Sequence, residues 1–328
     1  MFSQPIIISY RGIFTSRWSQ MLLPLHFLFI ITKLGVASSL AFGATYLYYK
    51  PRTNPPPVVP YIPPPFVWES IPKPILKRFT LPHPEHDGFI WNLCSTAVVG
   101  TAGLLAKGFM NLSQTRVYGL DKFQSIIDDP HREKGVITVS NHESVLDDPF
   151  LWGVLPLKTL FSIHKMRWVL GAADICYTSI FKSYFFVFGQ TIPTIRGAGI
   201  YQPGIDFAID KVNKRGWIHI YPEAKVVQEN KMIRFKWGVG RILMDMDHEP
   251  LVIPIWHKGM HLAKPLYGTK LVHLNKPITL VFGDPVEYGD ILAEWRQGKL
   301  TREETRVRLT DRLYKAIEDL QSQYDDVE

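Results

Sequence analysis

From Gly135 onward the chain alternates short β-branched runs with stretches long enough for helices, and that rhythm admits few folds. The segments 135–140, 159–163, 217–221, 251–256 and 278–282 read as strands, and 203–213 and 237–246 read as helices between them. Such alternation predicts an α/β fold: a largely parallel central sheet flanked by helices, with functional sites at the carboxyl ends of strands. The last helix is the best marked. Thr301 with Glu304 makes a capping box, and Leu309, Leu313, Ile317 and Leu320 repeat on one face that must be core. No internal repeat is visible. The absence of G-x-x-x-x-G-K-[ST], G-x-G-x-x-G and G-x-S-x-G argues against nucleotide chemistry and against a nucleophile-elbow hydrolase.

Charge divides the chain more sharply than hydropathy does. Residues 1–68 hold Arg11, Arg17, Lys33, Lys50 and Arg52 and no acid, a charge of +5 out of the formal +7, so the remaining 260 residues carry only +2. A nearly balanced body does not imply nucleic acid. The acid-free stretch 1–20 followed by the apolar run 21–49 reads as mitochondrial targeting and membrane anchoring; a secretory signal would end its apolar core at a small-residue cleavage site. Leu22 to Tyr49 is long enough to span a bilayer if Lys33 is paired or snorkels, and a flat interfacial helix is the alternative. Proline dominates from Pro51 to Pro74, a stiff extended linker. The expected organisation is a targeting and anchoring segment over 1–50, a Pro-rich linker over 51–87 and a catalytic domain over 88–328. Within that domain, 89–112 is a helix that either contacts membrane or is buried. Cys94 and Cys176 form no metal or redox spacing.

The chemistry concentrates where the first strand of the body ends. After Ser140 come Asn141, His142, Glu143, Ser144, Val145, Leu146, Asp147, Asp148 and Pro149, with Asp148 suited to a helix N-cap and Pro149 to a first turn. A strand-to-helix turn lets the His142 imidazole face a cleft while the Asp147 carboxylate holds one ring nitrogen, which makes a general base for a hydroxyl. The same spacing also suits a purely structural pair, His142 ending a strand and Asp147 starting a helix. Ser144 lacks the glycines that expose a nucleophilic hydroxyl. Two more strand ends carry charge. Arg196, after Ile192–Ile195, has the fork that grips a phosphate, and Glu223 lies beside Lys225 after Tyr221 and Pro222.

These residues together resemble the glycerolipid acyltransferases. The four blocks of that family appear in order: 141–149, then Pro193 to Gly197, then Tyr221 to Lys225, then Val252 to Trp256. A narrower likeness, carried by 166–168, 172–176, 234–241 and 256–260, is to the branch that exchanges acyl chains between phospholipids and lysophospholipids without coenzyme A and remodels cardiolipin in mitochondria. The resemblance covers about 88–320. It implies His142 as base, Asp147 as its partner, and Arg196 with Glu223 in the glycerophosphate site, with Lys225 beside them. It implies phospholipid and lysophospholipid substrates, notably cardiolipin and monolysocardiolipin, at membranes facing the intermembrane space, and neither cofactor nor metal. One departure is Ala224, where the family has glycine after the Pro-Glu pair.

Access to lipid must come from the surface. The segment 168–188 is the candidate for dipping into one leaflet, with a buried core piece as the alternative, and Lys225, Lys231, Arg234, Lys236 and Arg241 form the one basic concentration of the body. His83 with His86 and His257 with His261 bring no further ligand at metal spacing. Two other functions stay open: an acyl-CoA-dependent lysophospholipid acyltransferase, which shares every block, and a non-catalytic cardiolipin-binding scaffold.

Overall fold

The computed structural model describes residues 6–7, 68–80, 83, 88–229, 231–267 and 271–325. Its strands are β1 (Ile6–Ile7), β2 (Gln114–Tyr118), β3 (Val136–Ser140), β4 (Trp168–Ala172), β5 (Thr191–Thr194), β6 (Trp217–Ile220), β7 (Leu251–Lys258) and β8 (Pro277–Phe282). They form one sheet in the order β1-β2-β8-β7-β3-β6-β4-β5. β7, β3, β6, β4 and β5 run parallel, so their carboxyl ends share one edge; β8 is antiparallel to β7. Longer helices are α1 (Lys73–Phe79), α2 (Phe89–Leu112), α3 (Leu120–Asp128), α4 (Ile180–Phe188), α5 (Pro203–Asn213), α6 (Gly238–Met244), α7 (Gly289–Arg296) and α8 (Arg302–Tyr324).

Why β3 occupies the centre is visible in its side chains. All five residues are buried, as a strand covered on both faces requires. Alternation sends Ile137 and Val139 to the layer of α5, α6 and α8, and Val136 to the layer of α2. The Thr301–Glu304 box caps α8 as the spacing predicts, and Leu309, Leu313 and Ile317 are buried, with Leu320 partly so. α2 has two unlike faces. Val99, Ala106, Phe109 and Met110 pack on the domain, whereas Phe89, Ile90, Leu104, Leu105 and Leu112 are exposed. α2 is long and apolar enough to cross a membrane, at about 36 Å for its 24 residues.

Four expectations are corrected. The segment 159–163 is no strand: Pro156 fixes the start of a helical turn, Leu157–Leu160, and its carbonyl accepts the amides of Thr159 and Leu160 at 3.0 and 3.1 Å. Asp148 makes no capping bond: the turn Asp147–Phe150 begins after Leu146, and Asp148 sits at a kink inside it. Its carboxylate is taken by Arg167, whose Nε donates at 2.8 Å, and by the Trp152 indole at 2.7 Å. The stretch 168–188 divides in two. Its first part is β4, a core strand between β5 and β6, and apolar surface comes only after it, from Ile175 and from Ile180 and Phe181 of α4. Last, folded structure begins inside the stretch read as linker. α1 lies there, Pro74 sits in its first turn where a missing amide costs nothing, and Ile71, Ile75 and Phe79 join the core. Apart from β1, the anchoring segment and the linker as far as residue 67 lie outside the described residues.

Candidate active site

β3 hands the chain to a turn that is clamped before it bends. The Asn141 side chain donates to the His257 carbonyl at 2.8 Å and accepts the His257 amide at 3.0 Å, tying the turn to β7. The chain then reverses so that Asp147 Oδ2 lies 2.8 Å from His142 Nδ1 and also accepts the amides of Glu143 and Ser144 at 2.7 and 2.9 Å. A carboxylate only accepts, which assigns the hydrogen to Nδ1 and leaves the lone pair on Nε2. The carboxylate is fully buried and the imidazole one-fifth exposed, so the acid is sheltered while the base faces outward.

The imidazole plane is set from below. Its face stacks on Tyr221 at 4.2 Å, and Tyr221 meets the edge of His219 at 4.4 Å. His219 is held by Thr138 at 2.8 Å and by Ser140 at 3.3 Å. Complete burial pushes the His219 pKa well down, so this second imidazole is an uncharged packing group.

Glu223 reaches the base through the backbone. Buried in the turn after β6, it accepts the His142 amide at 2.9 Å on one oxygen and the Ile233 amide at 3.2 Å on the other. Burial raises its pKa, opposed by those two amides. The amide of Val227 donates to the His142 carbonyl at 2.7 Å, so both backbone polar groups of His142 are held by the loop after β6. That loop starts with a turn closed by the Ala224 amide on the Tyr221 carbonyl, 3.0 Å, and Ala224 has φ +57°, the left-handed region glycine occupies without cost. Ala224→Gly is therefore expected to stabilise the protein by about 1 kcal/mol, the left-handed penalty less the entropy glycine adds to the unfolded chain. Thermal melting checks it, and an unchanged or lower melting temperature would remove strain as the meaning of that dihedral.

His142, Asp147 and Glu223 are thus one connected unit; Arg196 and Lys225 stand apart from it. Arg196, exposed, places Nε 3.3 Å from Asp174 beyond the end of β4. Three strand spacings, about 14 Å, separate the ends of β3 and β5. Lys225 is exposed and has no hydrogen bond or ion pair among the described residues. The basic concentration also thins. Arg241 is buried between Asp206 and Asp245, leaving Lys225, Lys231, Arg234 and Lys236 at the surface. Ser144 is fully buried, with its hydroxyl 3.3 Å from the Lys264 carbonyl, out of reach as a nucleophile.

A cavity of about 200 Å³ opens beside the turn, walled by Val145 and Leu146 of the turn, Val99 and Gly103 of α2, and Phe185 and Phe186 of α4. Asp148, Arg167 and Lys264 also line it, and burial lowers the Lys264 pKa. Glu143 turns the other way, accepting the Gly259 amide at 2.9 Å and pairing with His261 at 3.0 Å, which raises the His261 pKa. Among the described residues no group of three or more His, Cys, Asp or Glu side chains is placed to hold a metal. Sequence reasoning passed over Tyr221 and His257 as site residues. Both lie at strand ends flanking β3, and that position was the available signal.

A family profile described as Acyltransferase matches residues 114–258. The chain is 36% identical over 245 residues to the Tafazzin of Drosophila melanogaster, covering 74% of this chain and 64% of that protein, just under two thirds of its length. It is 36% identical over 206 residues to the Taffazin of Dictyostelium discoideum, covering 61% and 72%. A third relative is the N-acylphosphatidylethanolamine synthase of Arabidopsis thaliana, 36% identical over 200 residues and covering 58% and 70%.

Proposed function

We propose a function from one premise: the chain belongs to the acyltransferase family, within it to the tafazzins. It moves fatty acyl groups from phospholipids to lysophospholipids without coenzyme A, and its preferred pair is cardiolipin and monolysocardiolipin. The observation that carries this reading is the oriented His142–Asp147 pair beside an apolar cavity built partly from its own turn.

In the mechanism, Nε2 of His142 takes the proton of the lysolipid hydroxyl as that oxygen attacks an acyl-ester carbonyl of the donor. Asp147 stabilises the imidazolium that forms. The tetrahedral centre collapses, the donor's glycerol oxygen leaves and the proton returns to it from Nε2. One ester is broken and one is made, which keeps the exchange near balance in both directions. Glu223 acts on the His142 backbone. Arg196 and the exposed lysines receive lipid phosphates at the rim, each charge near an anionic surface contributing about 1 kcal/mol. The apolar faces of α2 and α4 support placement against lipid, the acid-free, arginine-bearing start of the chain supports mitochondrial membranes, and family likeness alone suggests the side facing the intermembrane space.

The test uses vesicles of acyl-labelled phosphatidylcholine with unlabelled monolysocardiolipin and no coenzyme A. Label is expected in cardiolipin, with no thiol released above background when acyl-CoA replaces the donor. Brisk thiol release without lipid-to-lipid transfer sinks the transacylase reading in favour of an acyl-CoA enzyme. The plant relative favours a second acceptor, an amine, so phosphatidylethanolamine in the same vesicles reports N-acylation as a separate product.

A further inference from the structure

The mechanism above gives no task to His257, although this imidazole lies one contact from the base. It belongs to β7 and is completely buried. Its Nε2 lies 2.9 Å from the Asn141 carbonyl oxygen and 3.5 Å from Asp147 Oδ2. A carbonyl only accepts, so Nε2 carries the hydrogen and donates to Asn141. That carbonyl and the His142 amide are the two ends of one peptide group. The amide end is held by Glu223 from the loop after β6, and the carbonyl end by His257 from β7, with the adjacent Ser140 hydroxyl donating to the same oxygen at 2.9 Å. β6 and β7 are the two sheet neighbours of β3. The peptide that aims the base is therefore gripped from both sides, and rotation about it would swing the imidazole off Asp147.

We propose that His257 is a positioning residue for acyl transfer: its Nε2–H locks the Asn141–His142 peptide and faces Asp147, fixing the angle at which His142 meets the acceptor hydroxyl. The assignment rests on His142 being the base. A displacement of about 1 Å in such a group costs on the order of 10²-fold in rate.

Two substitutions with the same amide chemistry and different reach test it. His257→Gln carries an N–H at about the depth of Nε2, and His257→Asn stops one methylene short. In the phosphatidylcholine–monolysocardiolipin vesicles, the Gln variant is expected to keep kcat within roughly fivefold and the Asn variant to lose on the order of 10²-fold, with KM unchanged in both. In detergent-solubilised protein, the proton resonance of His142 Nδ1–H is expected to persist in Gln and to broaden or move upfield in Asn. Equal kcat in the two variants, at either level, overturns the proposal, as does an undisturbed resonance in an impaired Asn variant. That resonance reads the His142–Asp147 bond whatever reaction is catalysed, so it tests His257 even if the transacylase reading fails.

Discussion

Replacing His142 by alanine is expected to lower acyl exchange by on the order of 10³-fold while the protein stays folded and bound to vesicles. Stability survives because the polar contacts holding the turn are made by other atoms. Asp147 Oδ2 keeps the Glu143 and Ser144 amides, and the residue-142 backbone keeps Glu223 and Val227, since an alanine backbone serves both. What disappears is the one exposed proton acceptor of the pair and its stacking on Tyr221. The assay is labelled acyl transfer at saturating lipid, with vesicle sedimentation and melting alongside. Retained exchange would leave His142 as the end of a strand and move the base to another residue, whereas vesicle binding with no exchange even in the wild type would move the function toward a lipid-binding scaffold.

The second large effect is expected from Asp147→Asn, a fall of roughly 10²- to 10³-fold that separates charge from shape. The asparagine oxygen can take the place of Oδ2, accept both amides and the Nδ1 hydrogen, and preserve tautomer and ring orientation. It brings no negative charge to the imidazolium formed in the transition state, and in a fully buried position no solvent replaces that charge. Single-turnover rates with melting data measure the effect. A variant as fast as the wild type would reduce Asp147 to an orienting acceptor.

Much of this site was legible in the sequence because it is local. His142 and Asp147 are five residues apart, and a turn after a buried β-branched strand brings them together with no help from distant chain. Glu223 and His257 are different. They reach the same peptide across 81 and 116 residues, and their meeting depends on β6 and β7 being the neighbours of β3, a choice hydrophobic periodicity does not encode. Glu223 was placed with the head group through family likeness, whereas both its oxygens are engaged by backbone amides. The strand β2 is hard to read for a related reason: Gln114, Thr115 and Arg116 are polar, so its apolar signal is only Val117 and Tyr118. The segment 159–163 is the opposite case: its two β-branched residues suggest a strand, and Pro156 starts a helical turn there instead.

The grip on His142 also bears on how this protein can be altered by grafting. The loop after β6 supplies the acceptor for its amide and the donor for its carbonyl, and that loop carries the exposed lysines as well. A chimaera that imports the loop from a cousin, in the hope of changing head-group preference alone, would import the bearings on which the imidazole turns. On the proposed function, recognition and reactivity are cut from a single piece of chain, and point changes at the loop's outward side chains are the way to separate them.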